Sequence, residues 1–169
     1  RRFASDGVLL RFNADSTVTT LATYNFDGLT GDFKEIHHSW ISMNNSGQVA
    51  ANVRLNSGKF AIAIIDGGGF AVVDEVTPTR FTFTGAAIND AGVVAYKAQE
   101  PAPDFVSVFT GDGFSPAQKS LPLPNDCGSV GAGPAINNNG LVAGQGPVCL
   151  AVGSDGLVSE VIVDVASNP

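Results

Sequence analysis

The sequence predicts an all-β chain, a β-propeller-like array of about three four-stranded antiparallel units. Three observations predict it. The stretch Ala87-Ile88-Asn89-Asp90-Ala91-Gly92-Val93-Val94-Ala95 recurs as Ser42-Met43-Asn44-Asn45-Ser46-Gly47-Gln48-Val49-Ala50 and as Ala135-Ile136-Asn137-Asn138-Asn139-Gly140-Leu141-Val142-Ala143. Its Gly-to-Gly spacing is 45 (47 to 92) and then 48 (92 to 140). Asp-Gly pairs close apolar runs at a similar period, and near-constant periods in this range signal a repeat architecture. Finally, Ala, Leu, Glu and Lys are never spaced at three and four over a helix length, and Gly or Pro interrupts most candidate helices.

The Asp-Gly pairs set the frame. Asp66-Gly67 follows Phe60–Ile65, Asp112-Gly113 follows Val106–Phe109, and Asp155-Gly156 follows Val148–Val152. Such a pair between apolar runs is a strong hairpin signal, because both residue types tolerate positive φ. Asp6-Gly7 and Asp27-Gly28 have no apolar run before them and fall outside the series. Val8–Phe12 aligns with Phe60–Ile65, which puts Asp15-Ser16 in the equivalent turn and gives spacings of 51, 46 and 43 (15 to 66 to 112 to 155).

Taken in order, the first unit (15–65) reads as strands Thr17–Thr23, Glu35–Met43, Gln48–Val53 and Lys59–Ile65. The second (66–111) reads as Phe70–Val76, Arg80–Ile88, Val93–Ala98 and Asp104–Phe109. The third (112–154) reads as strands near Gln118–Leu123, Ser129–Ile136, Leu141–Gly144 and Val148–Val152. Strands 8–12 and 157–165 are left over, the second marked by the period-two alternation of Val161, Val163 and Val165. Asn44 and Gly47, Asn89 and Gly92, and Asn137 and Gly140 are expected to be structural turn residues, since Asn and Gly supply Asx-turn and left-handed geometry.

Four strands in about 45 residues match a propeller blade. The pattern Ile-Asn-x-x-Gly-x-Val-Ala, followed by an apolar strand ending in Asp-Gly, resembles bacterial extracellular tandem-repeat proteins of the HAF-type or NxxG kind. Ile88–Ala95 with Val106–Gly113 carries the likeness most fully, and Ile136–Ala143 with Val148–Gly156 nearly so. Met43–Ala50 with Phe60–Gly67 is looser, and the His-Ala-Phe triplet is absent, with Phe60-Ala61 its nearest echo. The resemblance implies an extracellular, cell-surface or periplasmic location and no catalytic residues.

Composition narrows the partners. With 16 acidic against 9 basic residues the net charge is −7, which disfavours phosphate backbones and anionic membrane surfaces. The 44% hydrophobic content is enough for a sizeable core. No apolar run approaches the roughly 20 residues of a membrane helix. Arg1-Arg2 leads into Phe3-Ala4-Ser5-Asp6, which is not the apolar core of an export signal. Three units plus two extra strands do not close a ring of four to eight blades. Open sheet edges invite pairing, so the expected partners are other protein chains or the remainder of a longer polypeptide.

Site candidates are few. Cys127 and Cys149 allow a single bridge, and a disulfide between them is expected. Glu35, His38 and Trp40 are pocket candidates, with His38 and Trp40 placed on one face by strand alternation and His37 on the other. Calcium needs six to eight oxygens and each acidic turn offers one carboxylate, so no cofactor is expected, with calcium the alternative the acidic turns raise. No Gly-x-Ser-x-Gly occurs, and Gly67-Gly68-Gly69 precedes no helix pattern. The reading is a non-enzymatic extracellular binding or assembly module. The alternative is a propeller-type hydrolase or lyase with Glu35, His38 and Asp104 at a central channel.

Overall fold

The computed structural model describes residues 7–25, 30–80, 82–101, 106–122, 133–145, 149–154 and 157–163. Side chains of 38–40, 82, 121–122, 145, 149–152, 154 and 157–163 lie outside that description. All fourteen described elements are strands. In order they are β1 (Gly7–Phe12), β2 (Val18–Tyr24), β3 (Glu35–Met43), β4 (Val49–Arg54), β5 (Phe60–Asp66), β6 (Gly69–Glu75), β7 (Thr82–Ile88) and β8 (Val94–Gln99). There follow β9 (Val106–Gly111), β10 (Gln118–Pro122), β11 (Ala135–Ile136), β12 (Val142–Gln145), β13 (Cys149–Ser154) and β14 (Leu157–Val163).

Each sheet is an antiparallel meander of sequential strands. Three have four strands, β3-β4-β5-β6, β7-β8-β9-β10 and β11-β12-β13-β14, and one has two, β1-β2. Pairing therefore cuts the chain one strand later than the sequence spacing does. The strand that follows each Asp-Gly pair in the sequence hydrogen-bonds back to the strand before it instead of opening the next sheet. So the strand at 157–163 is not left over; it completes the last sheet on β13. The strand at 8–12 pairs with β2 in a two-stranded sheet.

All four of these last hairpins share a feature the sequence spacing did not reveal. The register slips by one residue, leaving Leu21, Val73, Ser120 or Ser159 as an extra residue on the second strand. Leu21, Val73 and Ser120 are each only 6% exposed, so the slip turns an additional side chain inward.

The core lies between sheets. Ala61-Ile62-Ala63-Ile64-Ile65 is a continuous apolar run, and alternation sends its residues to two different faces. Ala61, Ala63 and Ile65 join Leu21, Ala22, Phe33, Val49 and Ala51 against the β1-β2 sheet. Ile62 and Ile64 join Ala50, Val73, Phe83, Ile88, Tyr96 and Phe109 against the β7–β10 sheet. A strand buried on both faces reads as an unbroken apolar run, which is the pattern here.

One polar cluster crosses between those two sheets. The Tyr96 hydroxyl donates to Asp74 Oδ2 at 2.5 Å, and Arg80 Nη1 lies 2.7 Å from the same oxygen. Burial, then the Asp74 carboxylate, raises the Tyr96 phenol well above the ordinary tyrosine range. Tyr96 also meets Phe83 edge-on at 5.3 Å and stacks on Phe109 at 5.9 Å. A charged partner on one end and rings on its faces leave this side chain little freedom.

Candidate functional site

Two features depart from plain sheet packing: a row of interlocked turns and a cleft between sheets.

The turns come first, because the sequence repeat builds them. In each Asn-x-x-Gly stretch the Asn N–H bonds the carbonyl four residues on, and the Gly N–H bonds back to the Asn carbonyl. Gly47, Gly92 and Gly140 sit at φ of 78°, 80° and 81°, the left-handed position that closes such a three-residue loop. Two further turns follow the same scheme, Asn13–Ser16 and Leu55–Gly58, with Ser16 at φ 66° the one described non-glycine residue in that region.

The Asn side chains then reach from sheet to sheet. Asn89 Oδ1 accepts from the amides of Ala91 and Val93 within its own turn, while its Nδ2 donates to the Asn137 carbonyl at 3.1 Å. Asn44 repeats the arrangement, with Nδ2 on the Asn89 carbonyl at 3.0 Å and Oδ1 accepting from the Gln48 amide. Beside this row runs a second one. The Asp90 carboxylate accepts from the Asn45 amide and from Nδ2 of both Asn45 and Asn138. The Asp90 amide in turn donates to Asn138 Oδ1. These donors, the Asn45 amide foremost, hold the Asp90 carboxyl below its ordinary value. The predicted structural role of Asn44, Gly47, Asn89, Gly92, Asn137 and Gly140 thus extends from local bending to contact between turns.

The two described Asp-Gly pairs lie in hairpins, but their loops differ in length. Asp66 pairs with Gly69, so the loop proper is Gly67-Gly68, and Asp66 Oδ1 caps it by accepting the Gly68 amide. Thr110 pairs with Gln118, which places Asp112-Gly113 in a longer loop where Asp112 Oδ1 accepts the Phe114 and Ser115 amides. Those amides hold the Asp112 carboxyl below its ordinary value. In both turns the carboxylate is occupied by backbone donors. Asp155-Gly156, Asp104 and Cys127 lie outside the described residues, and Cys149 opens β13.

The cleft, about 300 Å³, opens between the β3–β6 and β7–β10 sheets, and its walls include Glu35, His37, Asn52, Arg54, Phe83 and Thr84. Asn52 and Thr84 are 8% and 7% exposed. Asn52 Nδ2 donates to the Phe83 carbonyl, while Asn52 Oδ1 and Thr84 Oγ1 have no partner. An apolar-walled recess with an open acceptor and an open hydroxyl can hold a small ligand carrying both a donor and an acceptor. Among the described residues, no three His, Cys, Asp or Glu side chains converge to hold a metal ion.

Glu35 lines this cleft, as does His37. The side chains of His38 and Trp40, the other two pocket candidates, lie outside the described residues. Ile36 pairs with Val53 and Ile41 with Ala51, so four residues of β3 stand opposite Asn52 alone. Asn52 and Thr84 escaped the sequence reading, although a signal existed for the first. Asn52 and Lys97 occupy the same place, fourth in strands β4 and β8, where an amide or an ammonium interrupts the run before the polar last residue. Lys97 is fully buried, and burial pushes its ammonium down to about 8.

No protein-family model, no curated protein and no solved structure matches this chain.

Proposed function

We propose that the chain is a non-enzymatic binding or assembly module of the cell exterior, built from propeller-like units that join further protein strands. One observation carries the reading: β1-β2 is a two-stranded half of a meander whose like is four-stranded three times over. An unpaired strand edge is a template for another chain. The acidic balance and the sequence likeness to extracellular repeat proteins support the exterior location. A disulfide between Cys127 and Cys149 belongs to the same reading, and reductive mass shift tests it. Calcium remains a proposal at the acidic turns, whose carboxylates are engaged by backbone amides at Asp66 and Asp112.

The competing reading, a hydrolase or lyase, draws on the cleft beside Glu35. Light scattering on the native chain and on Leu10→Asp, with a turnover screen on Glu35→Gln, separates the two. Association beyond 17.3 kDa that Leu10→Asp abolishes supports assembly. A chain monomeric throughout, with turnover lost in Glu35→Gln, overturns it.

A further inference from the structure

The shared register slip makes positions in β1 and β5 directly comparable. The slip falls between Leu9 and Leu10 in β1 and between Ile62 and Ala63 in β5, so Leu10 corresponds to Ala63. Val8 and Phe12 then correspond to Ala61 and Ile65. Ala61, Ala63 and Ile65 are 1%, 0% and 0% exposed, because the β1-β2 sheet covers them. Val8, Leu10 and Phe12 are 53%, 41% and 77% exposed. The same contrast holds in the first strand of the adjoining sheet. Met43 occupies the place of Ile88, and they are 57% and 7% exposed.

The turn row stops at the same place. The Asn89 carbonyl accepts both the Gly92 amide and the Asn44 side chain, whereas the Asn44 carbonyl accepts from Gly47. Arg11, Phe12, Asn13, Met43, Asn44 and Asn45 line an open groove of about 410 Å³ there. A stacking interface that is formed twice inside the chain thus continues, among the described residues, onto a bare apolar face, a free strand edge and an open rung. Contiguous exposed apolar surface of this kind marks an interaction site.

We propose that this face takes a two-stranded hairpin of the apolar-Asn-x-x-Gly-x-Val-Ala type from a partner chain. This rests on the assembly reading above. The hairpin's second strand runs antiparallel to β1, with its Val opposite Phe12 as Val49 stands opposite Ile65. Its Asn Nδ2 donates to the Asn44 carbonyl, adding the rung that Asn44 makes on Asn89. The described hairpins of this type are all engaged, since β4, β8 and β12 are each paired to β5, β9 and β13.

The test is titration of the intact chain with a synthetic peptide of residues 82–99, followed by calorimetry and amide exchange. The expected result is binding that protects alternate β1 amides. The peptide with Asn89→Ala binds about tenfold more weakly, the equivalent of one hydrogen bond. Phe12→Asp and Val8→Asp, both at exposed positions, abolish binding with an unchanged near-ultraviolet dichroism spectrum. Failure of the peptide to protect β1 overturns the inference. If Leu10→Asp still abolishes association while the peptide fails, the assembly reading stands and the hairpin falls. If neither has any effect, both fall.

Discussion

Asn89 is 5% exposed and engages three backbone groups in two turns. Truncating it leaves the Ala91 and Val93 amides without their partner and removes one of the two donors to the Asn137 carbonyl, in surroundings where water replaces it poorly. Asn89→Ala should cost about 3 kcal/mol in urea unfolding, whereas Asn137→Ala, at an exposed turn, should cost about 1 kcal/mol. Equal costs would mean that the contact between turns contributes nothing. The left-handed positions permit a cleaner experiment. A Cβ at Gly140 meets nothing within 4 Å, so Gly140→Ala isolates the conformational penalty of about 1 kcal/mol. Ser16, already at φ 66°, should respond the opposite way, with Ser16→Gly raising the denaturant midpoint.

Lys97 belongs to the same scale and makes a prediction about pH. Its folded-state value, near 8, lies below the 10.5 of the free side chain. Between those values the unfolded chain binds a proton that the folded chain does not, so stability rises with pH there. Tyr96 opposes this above about 10, where unfolded tyrosine ionises and the buried phenol does not. Denaturant midpoints should therefore increase from pH 8 to about pH 10, and Lys97→Met should flatten that slope. An unchanged slope in the variant would remove Lys97 as its source.

At the scale of elements, strands and turns were legible because they depend on local chemistry. Asn-x-x-Gly turns, the run Ala61–Ile65 and the absence of helix spacing all express themselves within a few residues. What was not legible depends on pairing across the sheet. Asp66-Gly67 announced a hairpin, but the repeat period placed a unit boundary inside it, and this shifted every unit by one strand. The register slips at Leu21, Val73 and Ser120 carry no common residue type. Only their inward packing makes them alike. Glu35 was legible as a polar residue breaking an apolar pattern. Its neighbours Asn52 and Thr84 reach the cleft because of packing between sheets, which periodicity in one strand cannot express. Gly85, at φ 64° within β7, was a usable sign of irregularity in a first strand.

At the scale of the whole molecule, the chain is a sequence of like sheets, each covering the one before it. Stability in such an array comes from each unit together with its neighbour interfaces, so an uncovered end is the least stable part. Here that end combines an apolar face, a strand pairing only with β2 among the described strands, and a turn whose carbonyl awaits the donor its counterpart has. The proposed activity is the covering of that end.

Amide hydrogen exchange along β1 and β5 in the isolated chain tests this account most directly. β5, paired on both edges, should exchange slowly at every amide, while β1 should alternate between slow amides facing β2 and fast amides facing outward. Uniform protection of β1 to the level of β5 in a monomeric chain would show the edge already occupied and contradict the account.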